Sequence, residues 1–488
     1  MSALLTGSAI GIAVIQIAAR FVRIRAFVLL LDRFESSLFS YSEASDDIGK
    51  ERAITTAALY LFSVIFFLVL VLCVIVLMFI GPPTILGFGD QALLLYSLGT
   101  LVSLPYLRIR SKVSINFEPE PVKKNSKLAQ SSHSRYSFLS RVFHWIVLEP
   151  EPVRRISFWL ETKIFARSDN SKGLQTRFRA PVFVCGLARS GTTIIMDILH
   201  KTGNFASLTY ADMPFVMAPN LWHRIRGNAA NRISQVERAH ADGILINSDS
   251  PESFEEVFWR TYCDPKLGPG LGYQNPSLGA LDRFKTYQRL VILSKHNQRG
   301  GVDRLRYLSK NNNNILRLGP LLQDTEASVV LIIRNPLATA WSLFEQHKRF
   351  SSAFGDDRFD RAYLRWLGHY EFGVGHLPFE FAVDDLNGFT PIEPNYWLQY
   401  WNNVYNHLIA ITGNPQVCIV SHDQLCMDGA RQIDRLLCFL DIPIRTDNLA
   451  LMIKSLQPLK DDVEQYFDPA LVKVSMELYS RFISVITK

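Results

Sequence analysis

The chain has 488 residues, of which 48% are hydrophobic and 20% are charged, and its formal net charge at pH 7 is +7. This composition argues against a disordered, collagen-like or coiled-coil protein, and the length is enough for more than one folded unit. The basic balance suits an anionic ligand, an acidic membrane surface or a nucleic acid. The six scattered cysteines predict neither a disulfide framework nor a zinc site.

Two long uncharged runs lie near the N terminus. As a helix, Ala53 to Ile80 would be about 40 Å long, more than the roughly 30 Å hydrocarbon core of a bilayer. The second run, Gln91 to Leu107, would be about 25 Å long. Basic residues lie on both outer sides of the pair, so the positive-inside rule predicts a transmembrane helical hairpin within residues 1–107, with both ends in the cytoplasm. A buried helical bundle and a lumenal orientation are the alternatives.

The rest of the chain has the character of a water-soluble protein. Residues 108–179 are polar and basic, which predicts a linker and entry segment, and residues 180–488 are predicted to form an α/β domain. In this domain three apolar strands each precede a helix: Pro181 to Cys185 before Thr192 to Lys201, Ser328 to Ile333 before Leu337 to His347, and Val417 to Val420 before Ala430 to Leu440. This alternation predicts a P-loop-like parallel sheet flanked by helices.

A turn with two glycines joins the first strand to its helix. The segment GLARSGTT, residues 186–193, can surround a phosphate with backbone N–H groups and the N terminus of the helix. The strand before it and the helix after it make this stronger evidence than a glycine pattern alone. An ordinary strand-to-helix turn is the alternative interpretation.

Two positions distinguish this turn from the nucleoside triphosphatase loop G-x-x-x-x-G-K-[ST]. Thr192 stands where that loop has its lysine, so the γ-phosphate clamp is missing. Arg334 ends the second strand, where such enzymes usually supply an aspartate for magnesium. A cation there repels magnesium and attracts another phosphate. The pattern therefore predicts a nucleotide with two separate phosphate positions and a transfer reaction that uses no metal.

These motifs resemble those of the 3′-phosphoadenosine 5′-phosphosulfate (PAPS)-dependent sulfotransferases, in particular the branch with protein-tyrosine sulfotransferases and many bacterial members. Pro181 to Leu199 is similar to the family's 5′-phosphosulfate loop, and Val329 to Ser342 is similar to its 3′-phosphate motif. The resemblance covers Pro181 to Ile442. It implies an enzyme that transfers a sulfuryl group from PAPS to a hydroxyl or an amine and releases adenosine 3′,5′-bisphosphate (PAP).

The resemblance also implies roles for particular residues. Arg189 would contact the sulfonate end of PAPS, and Lys310 is similar to the family's lysine beside the transferring group, so both are predicted catalytic cations. Arg334 and Ser342 would bind the 3′-phosphate. Four residues of the turn would bind the 5′-phosphate: Ser190, Gly191, Thr192 and Thr193.

A general base must take the proton of the acceptor. Asp212 lies in the region where the related branch has a carboxylate for this task, and it is the predicted base. A capping or turn aspartate before a proline is the alternative interpretation. Four other residues compete for the role: His200, Glu252, Glu255 and His296.

Together these features predict a multi-pass membrane protein with a cytoplasmic catalytic domain. Its anchoring suggests a membrane-associated acceptor, such as a lipid or a lipid-linked glycan, and no nucleic-acid reading motif accompanies the basic residues. One alternative is a P-loop kinase that turns over ATP with magnesium. The other is a non-catalytic membrane scaffold that binds PAP and transfers nothing.

Overall fold

The computed structural model describes residues 138–171, 179–226, 236–237, 245–263, 270–299, 305–353, 358–381, 386, 388–443 and 462–486. The predicted transmembrane hairpin and most of the predicted linker lie outside these ranges. Within them, every helix is either too short or too polar to span a bilayer.

A parallel sheet of five strands forms the centre of the described domain. Its strands are β1 (Val182–Cys185), β2 (Phe205–Ala206), β5 (Arg306–Lys310), β6 (Ser328–Ile333) and β7 (Val417–Ser421). They lie in the order β2-β5-β1-β6-β7, and a separate antiparallel pair joins β3 (Val236–Glu237) to β4 (Leu245–Ile246). The central strands are buried on both faces, as expected of parallel sheets.

Helices connect the strands and cover the sheet. They are α1 (Phe138–Leu148), α2 (Glu151–Ser171), α3 (Thr192–Lys201), α4 (Pro219–Arg226), α5 (Glu256–Tyr262), α6 (Leu278–Gln298), α7 (Leu318–Asp324), α8 (Pro336–Ala353), α9 (Arg358–Trp366), α10 (Pro394–Leu408), α11 (His422–Met427), α12 (Gly429–Phe439) and α13 (Pro469–Ile486). Short 3-10 turns follow β2 and β5.

The alternation of side chains along β6 shows how the two layers are filled. Val329, Leu331 and Ile333 pack with residues of α8, α10 and α13 in one hydrophobic cluster. Val330 and Ile332 belong to another cluster, with residues of α3 and α12. The period of two residues is that of a strand with both faces buried. The predicted parallel sheet with helices on both faces is therefore confirmed.

The strand order places the chain's reversal point beside β1. The connection from β1 leads toward β2 and β5 on one side, whereas β6 and β7 lie on the other. In open α/β sheets ligands bind at the carboxyl ends of the strands at such a point. The register of the strands places the carboxyl ends of β1, β5 and β6 at the same edge of the sheet, because Val184 pairs with Lys310 of β5 and Cys185 pairs with Leu331 of β6.

The predicted elements differ from the structure mainly in their lengths and in the helix that follows β7. The helix after β6 begins at Pro336 and reaches Ala353, beyond its predicted end. After β7 the short helix α11 comes before the predicted helix, because the Ser421 hydroxyl accepts a hydrogen bond from the backbone N–H of Gln424 and caps it. The aromatic residues of α10 pack in the core, where Trp397 and Trp401 are fully buried.

Candidate functional site

The loop after β1 has a conformation that only glycine allows at two positions. Gly186 has φ +153°, and a Cβ there would lie 2.6 Å from the carbonyl oxygen of Ile332 in β6. Gly191 has φ +101°, and its Cβ would lie 2.9 Å from Cδ2 of His422. The Ser190 hydroxyl closes the loop by donating to the carbonyl oxygen of Leu187 at 2.6 Å. The bare backbone between these contacts leaves the start of α3 open to an anion.

The loop and the end of β6 contact each other directly. Nε of Arg189 donates to the Ser342 hydroxyl on α8 at 3.0 Å. Nη1 of Arg334 donates to the carbonyl oxygen of Arg189, also at 3.0 Å. The structure thus brings together the residues of the two predicted phosphate motifs, which are separated by about 150 positions in the sequence.

Arg334 is a partly buried cation that lacks full compensation. Its Nε is buried, and no acceptor in the described part of the chain reaches it. Burial lowers the pKa of Arg334, Asp423 raises it, and the positive charge of Arg189 lowers it again. A buried guanidinium beside a second cation is favoured when an anion joins them. These residues therefore fit a ligand with a phosphate group near Arg334.

The segment directly after β7 supplies residues that the sequence did not identify. Oδ2 of Asp423 accepts hydrogen bonds from the backbone N–H of Asn335 at 2.7 Å and from the Tyr479 hydroxyl at 2.8 Å. His422 is 5% exposed and lies against Gly191. Burial, assisted by Arg334, lowers the pKa of His422 to about 4. The signal for both residues was their place at the end of a buried strand, the position that Arg334 occupies after β6.

Lys310 ends β5 at the same edge of the sheet, and its side chain is largely buried. Next to it, the amide of Asn312 accepts from the Thr192 hydroxyl at 3.4 Å and donates to Oε1 of Glu371 at 3.1 Å. Burial would raise the pKa of Glu371, but His369 and Lys310 lower it to about 2. The phosphate loop, the turn after β5 and Glu371 are therefore parts of one polar network.

A second buried network fixes the turn after Lys310. Arg317 forms a forked ion pair with Glu256 at 2.9 and 3.0 Å, while its guanidinium lies over the ring of Trp259. The amide of Asn314 donates to Oε1 of Glu255 at 2.7 Å. Because each buried charge has a partner, this network holds the asparagine-rich turn rigidly against β5. Glu255, one of the competing base candidates, is 1% exposed within it.

Asp212 lies in the 3-10 turn after β2, in a setting of its own. Its Oδ2 accepts hydrogen bonds from the backbone N–H of Thr209 at 2.7 Å and from Nζ of Lys295 at 2.6 Å. The side chains of this ion pair are 3% and 4% exposed. The capping interaction with Thr209 is the alternative that the sequence left open. The role of Asp212 as a base stays a prediction.

The other competing candidates also have protein partners. His200 lies 3.2 Å from a guanidinium nitrogen of Arg299, and burial together with that charge lowers its pKa to about 4. Glu252 accepts a hydrogen bond from the Tyr210 hydroxyl at 3.0 Å.

Comparisons with known proteins agree with these motifs. A family model described as a sulfotransferase domain matches residues 179–460. No curated protein matches the chain in sequence. Solved structures similar to this chain include the sulfotransferases STF1 of Mycobacterium tuberculosis (12% identity, 70% of this chain and 85% of that one, TM-score 0.34) and STF9 of Mycobacterium avium (13%, 71% and 86%, TM-score 0.37).

A mouse sulfotransferase complexed with PAP is also similar, at 11% identity over 62% of this chain and 84% of that one, with a TM-score of 0.29. Similarities at this level are too weak to carry an argument, so the assignment depends on the family model. That model spans more than half of the chain and includes every residue of the predicted site. The chain therefore belongs to the sulfotransferase family, which confirms the predicted resemblance, the enzyme class and PAPS as the co-substrate.

Proposed function

We propose that this enzyme transfers the sulfuryl group of PAPS to a hydroxyl or an amine of a membrane-associated lipid or glycan. The contact of Arg334 with the carbonyl oxygen of Arg189 is the observation that carries the nucleotide part of the proposal. It joins the ends of β1 and β6, so the two predicted phosphate-binding positions would lie side by side. A nucleotide with phosphates at both its 3′ and 5′ positions matches this arrangement.

Each group of the site has a task in this proposal. Residues Ser190 to Thr193 would hold the 5′-phosphate at the start of α3, while Arg334 and Ser342 would hold the 3′-phosphate. PAPS would supply an activated sulfonate. The cations of Arg189 and Lys310 would stabilise the negative charge that develops on the leaving oxygen, a contribution worth a few kcal/mol for each well-placed donor. A reaction without metal stays a prediction.

Thermal unfolding of the full-length protein in detergent tests the nucleotide. PAP at a hundred times its dissociation constant should stabilise the protein by about 2.7 kcal/mol, whereas ATP with magnesium should have little effect. Arg334→Gln should abolish the stabilisation. Arg431→Gln is the matched control, since Arg431 is an exposed arginine at the start of α12. Stronger stabilisation by ATP with magnesium would contradict the proposal and favour a kinase.

The membrane part of the proposal rests on the two apolar runs within residues 1–107. The enzyme in detergent should transfer radioactive sulfate from labelled PAPS to a membrane lipid extract. A mixture of soluble glycans serves as the comparison acceptor. Equal labelling of both acceptors would refute a membrane-associated substrate while leaving the sulfotransferase activity in place.

A further inference from the structure

The segment after α9 brings two ionisable side chains to the edge of the site. Helix α9 ends in a Schellman motif, in which the N–H of Gly368 donates to the carbonyl oxygen of Arg365 at 3.1 Å and the N–H of His369 donates to that of Leu364 at 2.9 Å. Gly368 has φ +67°, and any side chain there would overlap Glu256. The chain must therefore turn at this point, toward the end of β5.

The turn is fixed from the opposite side by the asparagine-rich segment. The amide of Asn313 donates to the carbonyl oxygen of Gly368 at 2.8 Å, and the amide of Asn312 donates to Oε1 of Glu371 at 3.1 Å. Oε2 of Glu371 then lies 3.5 Å from Nδ1 of His369. A histidine-carboxylate pair is thus held within the electrostatic reach of Lys310, and the amide of Asn312 connects it to Thr192 of the phosphate loop.

The charge of Glu371 determines which ring nitrogen of His369 donates a hydrogen bond. Glu371 is ionised at neutral pH, because His369 and Lys310 hold its pKa at about 2 against the effect of burial. An ionised carboxylate only accepts hydrogen bonds, so Nδ1 of His369, which lies 3.5 Å from Oε2 of Glu371, is the nitrogen that donates toward it, and Nε2 is the nitrogen left to meet an acceptor. His376, on the same segment, also lies within the electrostatic reach of Glu371. The carboxylate would stabilise the imidazolium formed when Nε2 takes a proton, as in the triads of hydrolases.

We propose that His369 is the general base of the transfer reaction and that Glu371 is its positioning residue, an inference that rests on the proposed function. Nε2 of His369 takes the proton of the acceptor hydroxyl while the acceptor oxygen forms its bond to sulfur. The bond between sulfur and the nucleotide's phosphate oxygen breaks, and its electron pair leaves with PAP. Protons and electrons balance without a further reactant.

Accessibility distinguishes His369 from Asp212. The His369 side chain is 19% exposed and that of Glu371 is 14% exposed, so an acceptor can approach the pair from solvent. The side chain of Asp212 is 3% exposed and is bonded to the ammonium group of Lys295. A base that is already paired with a buried ammonium would have to break that ion pair before it could accept a proton.

The test uses the full-length protein in detergent, labelled PAPS, and water or a series of phenols as acceptors. With phenol as the acceptor, His369→Gln should lower the rate of PAP release by about 10²- to 10⁴-fold. The stabilisation of the protein by PAP should stay unchanged. The loss should shrink for 4-nitrophenol, whose more acidic hydroxyl needs less help from a base. Imidazole should restore activity to His369→Gly, and His407→Gln, a histidine at the end of α10, serves as control.

Three outcomes would overturn the assignment. They are a His369→Gln rate within threefold of the wild type, an equal loss with every phenol and no rescue by imidazole, and a loss of activity in Asp212→Asn that His369→Gln does not show. Failure of the proposed function has a different signature. In that case the wild-type protein itself binds no PAP, or binds PAP and releases none from PAPS with any acceptor.

Discussion

Replacing Gly191 by alanine tests whether the phosphate loop is shaped as the structure shows. Two penalties combine at this position. The φ of +101° is strained for any residue with a side chain, which costs about 1–2 kcal/mol. The added methyl group would also lie 2.9 Å from Cδ2 of His422, and overpacking of this kind costs about 1–3 kcal/mol. The expected loss of stability for Gly191→Ala is therefore about 2–5 kcal/mol.

Gly203 provides the matched control for the backbone penalty. It follows α3 with φ +79°, and a Cβ there would meet no atom within 4 Å. Gly203→Ala should therefore cost only the backbone part, about 1–2 kcal/mol. The steric part can be isolated by combining Gly191→Ala with His422→Ala. The coupling energy of this double-mutant cycle should be about 1–3 kcal/mol, because the truncated side chain no longer opposes the methyl group.

Urea unfolding and PAP binding by calorimetry measure the two consequences. The added methyl group should displace the backbone of the phosphate loop. PAP affinity should therefore fall by one to two orders of magnitude in Gly191→Ala and stay at the wild-type level in Gly203→Ala. Equal losses of stability in the two alanine variants would contradict a steric penalty at Gly191. Additive effects of His422→Ala and Gly191→Ala would also contradict it, because the two residues would then not contact each other.

Three further outcomes are expected. Asp212→Asn should lower the free energy of unfolding by about 3–5 kcal/mol in urea, because it leaves a buried ammonium on Lys295; Asp197→Asn, whose partner Lys201 is half exposed, should cost under about 1 kcal/mol. Tyr479→Phe should cost about 1–3 kcal/mol in the same assay, since Asp423 loses a hydrogen-bond donor. Unfolding at pH 7 and pH 5 should show lower stability in acid, and constant stability would contradict this. Four fully or partly buried histidines have their pKa lowered to about 4, mainly by desolvation: His144, His200, His376 and His422. Because the unfolded chain binds these protons near pH 6.5 and the folded chain only near pH 4, each histidine removes up to about 3 kcal/mol as the pH falls between those values.

The parts of the fold that the sequence predicted are those that depend on neighbouring residues. The loop from Gly186 to Thr193 follows from an apolar strand, two glycines and an amphipathic helix within twenty positions, and the structure has β1 and α3 there. The strand β5 is harder to recognise, because two of its five buried residues, Arg306 and Lys310, are charged. Resemblance to a family, and not periodicity, identified Lys310.

The contacts that complete the site link distant parts of the chain. Asn312 and Glu371 are 59 positions apart, and their hydrogen bond depends on where α9 ends and on the turn at Gly368. No local sequence pattern predicts a contact between residues so far apart in the chain. His422 was missed for a related reason, since the predicted helix began after α11 and left the end of β7 without an assignment.

The balance of charge at the sheet edge explains why the site suits a ligand with several negative charges. Arg189, Arg334 and Lys310 arrive from three neighbouring strand ends, and such a group of partly desolvated cations is unfavourable by itself. Asp423 and Glu371 lie next to them and offset part of that charge, but each also accepts hydrogen bonds from the protein, which fixes its position. The remaining positive charge is thus held on rigid elements. An incoming bisphosphate and sulfonate would meet cations that are already oriented, which is the condition for strong electrostatic stabilisation of the transferring group.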